Sequence, residues 1–83
     1  MQIRIKGNIA VSDSGFVFDP ATGDSFSINP IGVEIIRLMK DIKDEAEIIR
    51  LIAEKYDADE RTIEKDLYDF VNLLLSHELA DKL

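Results

Sequence analysis

The side chains able to do covalent or metal chemistry are few, and their spacing does not assemble a reaction centre. His77 is the one histidine of the chain, and there is no cysteine. Thiol nucleophiles, zinc–thiolate sites, iron–sulfur clusters and disulfides are therefore excluded. No Ser or metal-ligating residue stands at a suggestive distance from His77, which falls in the last turn of a helical pattern where an imidazolium is mildly favoured. Asp66 and Asp69 are three apart on the same helical pattern. A catalytic carboxylate pair needs two facing walls of a cleft, and one helix supplies only one. A calcium loop opening at Asp57 would put Thr62 where Gly is required and Tyr68 where the bidentate Glu is required. Asp57, Asp59 and Glu60 read instead as residues of a helix start, where negative charge suits the macrodipole. The glycines at 7, 15, 23 and 32 are isolated, so no phosphate-cradling loop exists. Asp13-Ser14-Gly15 precedes a strand-like run, whereas an acyl-carrier serine opens a helix. No metal, no cofactor and no catalytic residue are expected, which leaves a binding surface.

Charge narrows what that surface binds. Residues 1 to 40 carry four basic and four acidic side chains; residues 41 to 83 carry six basic and thirteen acidic, the whole net charge of −7. Nucleic-acid binders need cations that displace counterions from phosphate, and this chain has the opposite sign. At 46% hydrophobic and 33% charged residues it has a globular composition, and 83 residues make one domain spanning 1–83 with a thin core. No apolar run approaches the roughly 18 residues of a membrane span. Met1 to Val11 alternates charged and apolar residues, unlike a secretory signal. A soluble cytoplasmic protein without membrane contact is expected.

The elements that must position the surface come in two blocks. In the first, Ile3 and Ile5 alternate with polar residues, and Gly7-Asn8 predicts a two-residue hairpin turn into Ile9–Ser12. Asp13-Ser14-Gly15 predicts a turn with positive φ at Gly15. Phe16-Val17-Phe18 is a strand. Asp19-Pro20-Ala21-Thr22-Gly23 is a turn with Pro at its second position and Gly in the left-handed one. Asp24–Ile28 is the last strand, with Phe26 and Ile28 on one face and Ser25 and Ser27 on the other. The expected sheet is an antiparallel meander of three to four strands. Such a sheet is marginal alone and needs a cover.

Three helices provide it. Asn29-Pro30 is a start signal, Asn as cap and Pro at the first helical position. The helix that follows is short and nearly apolar all round, and Asp41-Ile42-Lys43 ends it. Asp44 and Glu47 frame the second helix as a capping box, with Ile48, Ile49, Ile52 and Tyr56 on one face. Asp57 and Asp59 are candidate caps of the third, in which Ile63, Leu67, Phe70, Val71, Leu74, Leu75 and Leu79 recur at helical spacing. The expected core is Val33, Ile36, Ile49, Ile52, Leu67, Phe70, Val71 and Leu74. The fold class is α+β. In it, Asp24–Ile28 forms an edge of unpaired backbone groups, carries no Pro or Lys, and could accept an extended peptide as a further strand. The alternative is that this strand is interior to the sheet, or is covered by a helix or by a second copy of the chain.

The order of these pieces resembles the PqqD-like family of recognition elements for ribosomally made, modified peptides. The residues that carry the likeness are Ser27-Ile28-Asn29-Pro30-Ile31-Gly32-Val33-Glu34-Ile35-Ile36-Arg37-Leu38-Met39, then Asp44-Glu45-Ala46-Glu47-Ile48-Ile49, then Tyr56-Asp57, then Asp66-Leu67-Tyr68-Asp69-Phe70-Val71-Asn72-Leu73-Leu74. The likeness covers roughly residues 9 to 79. There are departures: Lys40-Asp41-Ile42-Lys43 replaces the Asp-Gly that often ends the first helix, the Gly of the family's C-terminal Leu-x-x-x-Gly-hydrophobic pattern is missing from Leu75–Leu79, and Met1–Lys6 resembles an added strand.

The resemblance implies a winged-helix-like meander on three helices without enzymatic activity. It implies a peptide chaperone that binds the leader of a precursor peptide as an added strand and presents it to a modifying enzyme, often a radical S-adenosylmethionine protein, as in pyrroloquinoline quinone synthesis. The binding residues it implies are Asp24, Ser25, Phe26, Ser27 and Ile28 on the strand, and Arg61, Glu64, Lys65, Tyr68 and Asn72 on the facing helix. Two other functions fit the elements: a winged-helix DNA-binding module, opposed by Glu60, Glu64, Asp66 and Asp69 on the third helix, and a homodimer that pairs the open edge with its own copy.

Overall fold

The computed structural model describes residues 3–41 and 44–83. Along the chain run β1 (Ile3–Ile5), β2 (Ala10–Val11), β3 (Phe16–Asp19), β4 (Asp24–Ser27), α1 (Pro30–Asp41), α2 (Glu45–Tyr56), α3 (Glu60–Ser76) and β5 (Ala80–Lys82). The class is α+β, as expected. Met1 and Gln2 of the expected added strand, and Ile42 and Lys43 of the expected break after α1, lie outside the described residues.

The meander is β2-β3-β4, antiparallel throughout, with Val11 opposite Val17 and Val17 opposite Phe26. Its turns follow the local chemistry. Gly15 has φ +96° and Gly23 φ +80°. The Asp19 carboxylate accepts from the Ala21 N–H at 2.9 Å, and the Gly23 N–H donates to the Asp19 carbonyl at 2.8 Å. Asp19 is thus a buried polar residue with its partners supplied by its own turn.

One expectation about the sheet fails. The Gly7-Asn8 turn does form, since the Ile9 N–H donates to the Lys6 carbonyl at 3.2 Å. It does not join β1 to β2 as a hairpin. β1 pairs instead with β5, antiparallel, with Ile5 opposite Ala80, in a separate two-stranded sheet. The reason lies at the far end of α3. The Leu79 N–H donates to the Leu74 carbonyl and the Glu78 N–H to the Leu75 carbonyl, the two bonds of a Schellman stop, with Glu78 in the left-handed conformation at φ 59°. Glu78 therefore adopts the backbone that a glycine favours there. The stop turns Leu79 and Ala80 into the core, 2% and 4% exposed, where they line up against Ile5.

The helix caps follow the sequence. The Asn29 side chain accepts from the Gly32 N–H at 2.8 Å. Asp44 caps α2 by accepting from Ala46, while the Glu47 carboxylate faces Arg50. Asp59 caps α3, and Asp57 serves the end of α2 instead, in the left-handed conformation with its N–H on α2 carbonyls. The core lies between the sheets and the helices: Val17, Ile36, Ile52, Leu67, Leu74 and Leu79 have almost no exposed surface. Of the expected core only Phe70 departs, being half-buried.

Candidate peptide groove

β4 is an edge of its sheet, and its backbone is aimed to receive another strand. The Ile28 N–H donates to the Gly15 carbonyl at 2.7 Å. In an antiparallel ladder, bonded and open positions alternate. Phe26 and Ile28 therefore point their backbone groups inward to β3, and Ser25 and Ser27 point theirs to the open side. The side chains alternate the other way. Phe26 and Ile28 turn inward to pack on the core, and Ser25 and Ser27 are exposed.

Beside this edge runs a groove walled by α3. Its upper half, a hollow of about 340 Å³, is lined by Phe26, Ser27, Ile28 and Asn29 on one side and Phe70, Leu73 and His77 on the other. The Phe26 and His77 rings are 4.6 Å apart at 52°, which ties β4 to the end of α3 and gives His77 a packing role. Leu73 is 43% exposed although apolar. The lower half, about 360 Å³, continues over the first turn of α1: Asn29, Ile31, Gly32 and Ile35 on one side, Asp66, Asp69, Phe70 and Leu73 on the other. The two halves share Asn29, Phe70 and Leu73. Gly32 packs closely at this wall: a Cβ there would meet Asn29 Oδ1 and Ile28 Cβ at 3.3 Å and the Phe70 ring at 3.4 Å.

Of the strand residues expected from the sequence, Asp24 to Ile28, the last three, Phe26, Ser27 and Ile28, line the groove; Asp24 and Ser25 lie outside its lining. The expected helix residues do not line it. Tyr68 and Asn72 line a different hollow, with Ile3, Val71, Leu75 and Lys82 beside the β1–β5 ribbon. Arg61 and Glu64 share the Tyr68 flank by helical spacing, and Lys65 lies between the two flanks, paired with Asp69 at 3.3 Å. Tyr68 is held there by donating to the Glu45 carboxylate at 2.8 Å, and that bond raises the Tyr68 phenol above its ordinary pKa. The α3 residues that line the groove are Phe70, Leu73 and His77 beside β4, and Asp66 and Asp69 beside the first turn of α1. Their spacing, with Leu73 an apolar residue left outside the buried stripe, was the available signal.

Among the described residues no group of His, Cys, Asp and Glu could hold a metal ion, and no helix is long and apolar enough to cross a membrane.

Two solved structures share this fold. One described as TbiB1 in complex with the TbiA(beta) leader peptide superposes with a TM-score of 0.82 at 30% identity, covering 94% of each chain. One described as lasso peptide synthetase B1 complexed with the leader peptide gives 0.84 at 20% identity, covering 98% of this chain and 99% of the other. A search of the curated proteins finds no match. The family model described as coenzyme PQQ synthesis protein D (PqqD) matches residues 15–80, from the turn before β3 to the first residue of β5. With that match spanning the meander strands β3 and β4, all three helices and the groove between them, the chain belongs to the PqqD family.

Proposed function

We propose that this protein is a peptide-recognition element: it binds the leader region of a ribosomally made precursor peptide as a strand added to β4 and presents it to a modifying enzyme. The observation that carries the reading is the open edge at Ser25 and Ser27 lying alongside a largely apolar groove. Backbone bonds to such an edge supply affinity without regard to sequence, and the groove reads alternate side chains. The two similar structures, both described as leader-peptide complexes, support it. The work is binding and presentation, with no bond made or broken. A radical S-adenosylmethionine protein is the enzyme class that the family suggests as the recipient.

The test is an amide-shift titration with a synthetic leader from a short open reading frame beside this chain's gene. Shifts should centre on Ser25–Ile28 and on Phe70, Leu73 and His77. Ser27→Pro removes an outward-pointing donor at a position where an edge strand tolerates proline. It should leave the fold intact and weaken binding by about tenfold, one hydrogen bond's worth. Leu73→Ala should weaken binding too, whereas Tyr68→Ala should not. Peptide shifts confined to the Tyr68 and Asn72 flank would overturn the site.

A further inference from the structure

The two halves of the groove differ in chemistry. Phe26, Phe70, Leu73 and the His77 ring make the upper half apolar. Two carboxylates, Asp66 and Asp69, border the lower half, and among the described residues no Lys or Arg lines either half. The hollow between α1 and α2 is different: Glu34, Arg37 and Lys55 line it together, and Glu34 and Lys55 neutralise each other as an ion pair. In the groove, the one ion pair of Asp69 among the described residues is with Lys65 on its own helix, at 3.3 Å and with side chains 67% and 78% exposed. Such a pair is weak and exchangeable. Asp66 makes no ion pair among the described residues.

Resting on the peptide reading above, we propose that the groove selects for charge as well as shape: it takes a strand bearing a large apolar residue and, two or four positions away, a Lys or Arg. The apolar side chain fills the upper half against Phe26 and Leu73. The cation lies between Asp66 and Asp69. The spacing follows from the helix. From the midpoint of Asp66 and Asp69 to that of Leu73 and His77 is about 11 Å at the α-helical rise. Side chains on one face of an extended peptide recur about every 7 Å, so two positions fall short by less than a lysine's reach and four overshoot slightly. The surplus negative charge of the chain, −7 overall, works in the same direction by raising the encounter rate of a basic segment.

The probes are short Thr/Ser-rich synthetic peptides, capped at both ends, each with one Leu and with Lys, Gln or Glu placed two or four residues from it. Binding is read by amide shifts at low salt. The best Lys peptide should bind about tenfold more tightly than its Glu counterpart, the sum of an attraction gained and a repulsion removed. Asp66→Asn with Asp69→Asn should collapse that ratio to below about twofold without disturbing the fold, because both side chains are exposed. Equal binding of the Lys and Glu peptides overturns the proposal, while shifts at Ser25–Ile28 in the same titrations leave peptide binding intact. A ratio that persists in the double variant assigns the preference to overall charge, and overturns it as well. Should the double variant lose stability and keep the peptide ranking, the carboxylates serve only the N-terminus of α1 and the proposal falls. If no peptide shifts Ser25–Ile28, the peptide reading itself fails.

Discussion

Gly15 and Gly23 offer a controlled pair of perturbations, since both hold positive φ (+96° and +80°), one just before β3 and the other just before β4. An alanine at either position incurs the cost of left-handed backbone, about 1–2 kcal/mol. At Gly23 that is the whole cost, because nothing lies within 4 Å of where the Cβ would stand. At Gly15 the Cβ would lie 2.4 Å from the Ile28 carbonyl oxygen, well inside the 3.0 Å below which real Cβ contacts essentially never fall. Backbone cannot swing aside as a side chain can. Ile28 must retreat, which breaks its 2.7 Å bond to the Gly15 carbonyl and costs a further ~1 kcal/mol or more. Gly15→Ala should therefore destabilise by about 2–4 kcal/mol against a total of about 5–10, and Gly23→Ala by about 1–2. Urea denaturation reads both, with midpoints falling by roughly 2–4 M and 1–2 M at a slope near 1 kcal/mol per M. Gly15→Ala should also move the Ile28 amide resonance and reduce peptide affinity, because Ile28 lines the groove. Equal losses for the two variants would refute the reasoning, since they would show that no backbone oxygen crowds Gly15.

Other expectations are more local. Leu74→Ala empties a site only 1% exposed and should cost about 2–5 kcal/mol in denaturant melts; a loss below about 0.5 kcal/mol would contradict the packing of α3. Glu78→Gly relieves the left-handed residue of the Schellman stop and should stabilise by about 0.5–1 kcal/mol, seen as a higher urea midpoint. Tyr68 should titrate above the ordinary tyrosine value of 10.0, chiefly because it donates to Glu45. Its folded pKa stands above the unfolded one, so whatever the bond contributes is present in full below the unfolded value and is lost as pH rises through the folded one. Phenolate absorbance should show Tyr68 ionising earlier in Glu45→Gln, and no change there would break the assignment.

What the chain alone determined is whatever depends on neighbours a few residues apart. Asn29 caps α1, Asp44 α2 and Asp59 α3, because a short polar side chain meets N–H groups two or three residues ahead whatever surrounds it. Gly15 and Gly23 take positive φ for the same local reason. The buried stripe of α3 is also legible, because Ile63, Leu67, Val71 and Leu74 repeat with the helix. The alternating pattern at 24–28 likewise marks a strand, but it does not distinguish an open edge from a covered one, which the strand order decides. The tertiary structure decided the rest. Gly7-Asn8 forms its turn either way, and only the placement of Leu79 and Ala80 by the Schellman stop makes β5, rather than β2, the partner of β1. Periodicity likewise marks which face of α3 is buried but leaves two flanks beside it. The packing of Gly32 on Phe70 and of Phe26 on His77 turns the Asp66–Leu73 flank toward the start of α1 and the end of β4, and Tyr68 goes to Glu45. Contacts between residues dozens of positions apart set that rotation, and no local pattern encodes it.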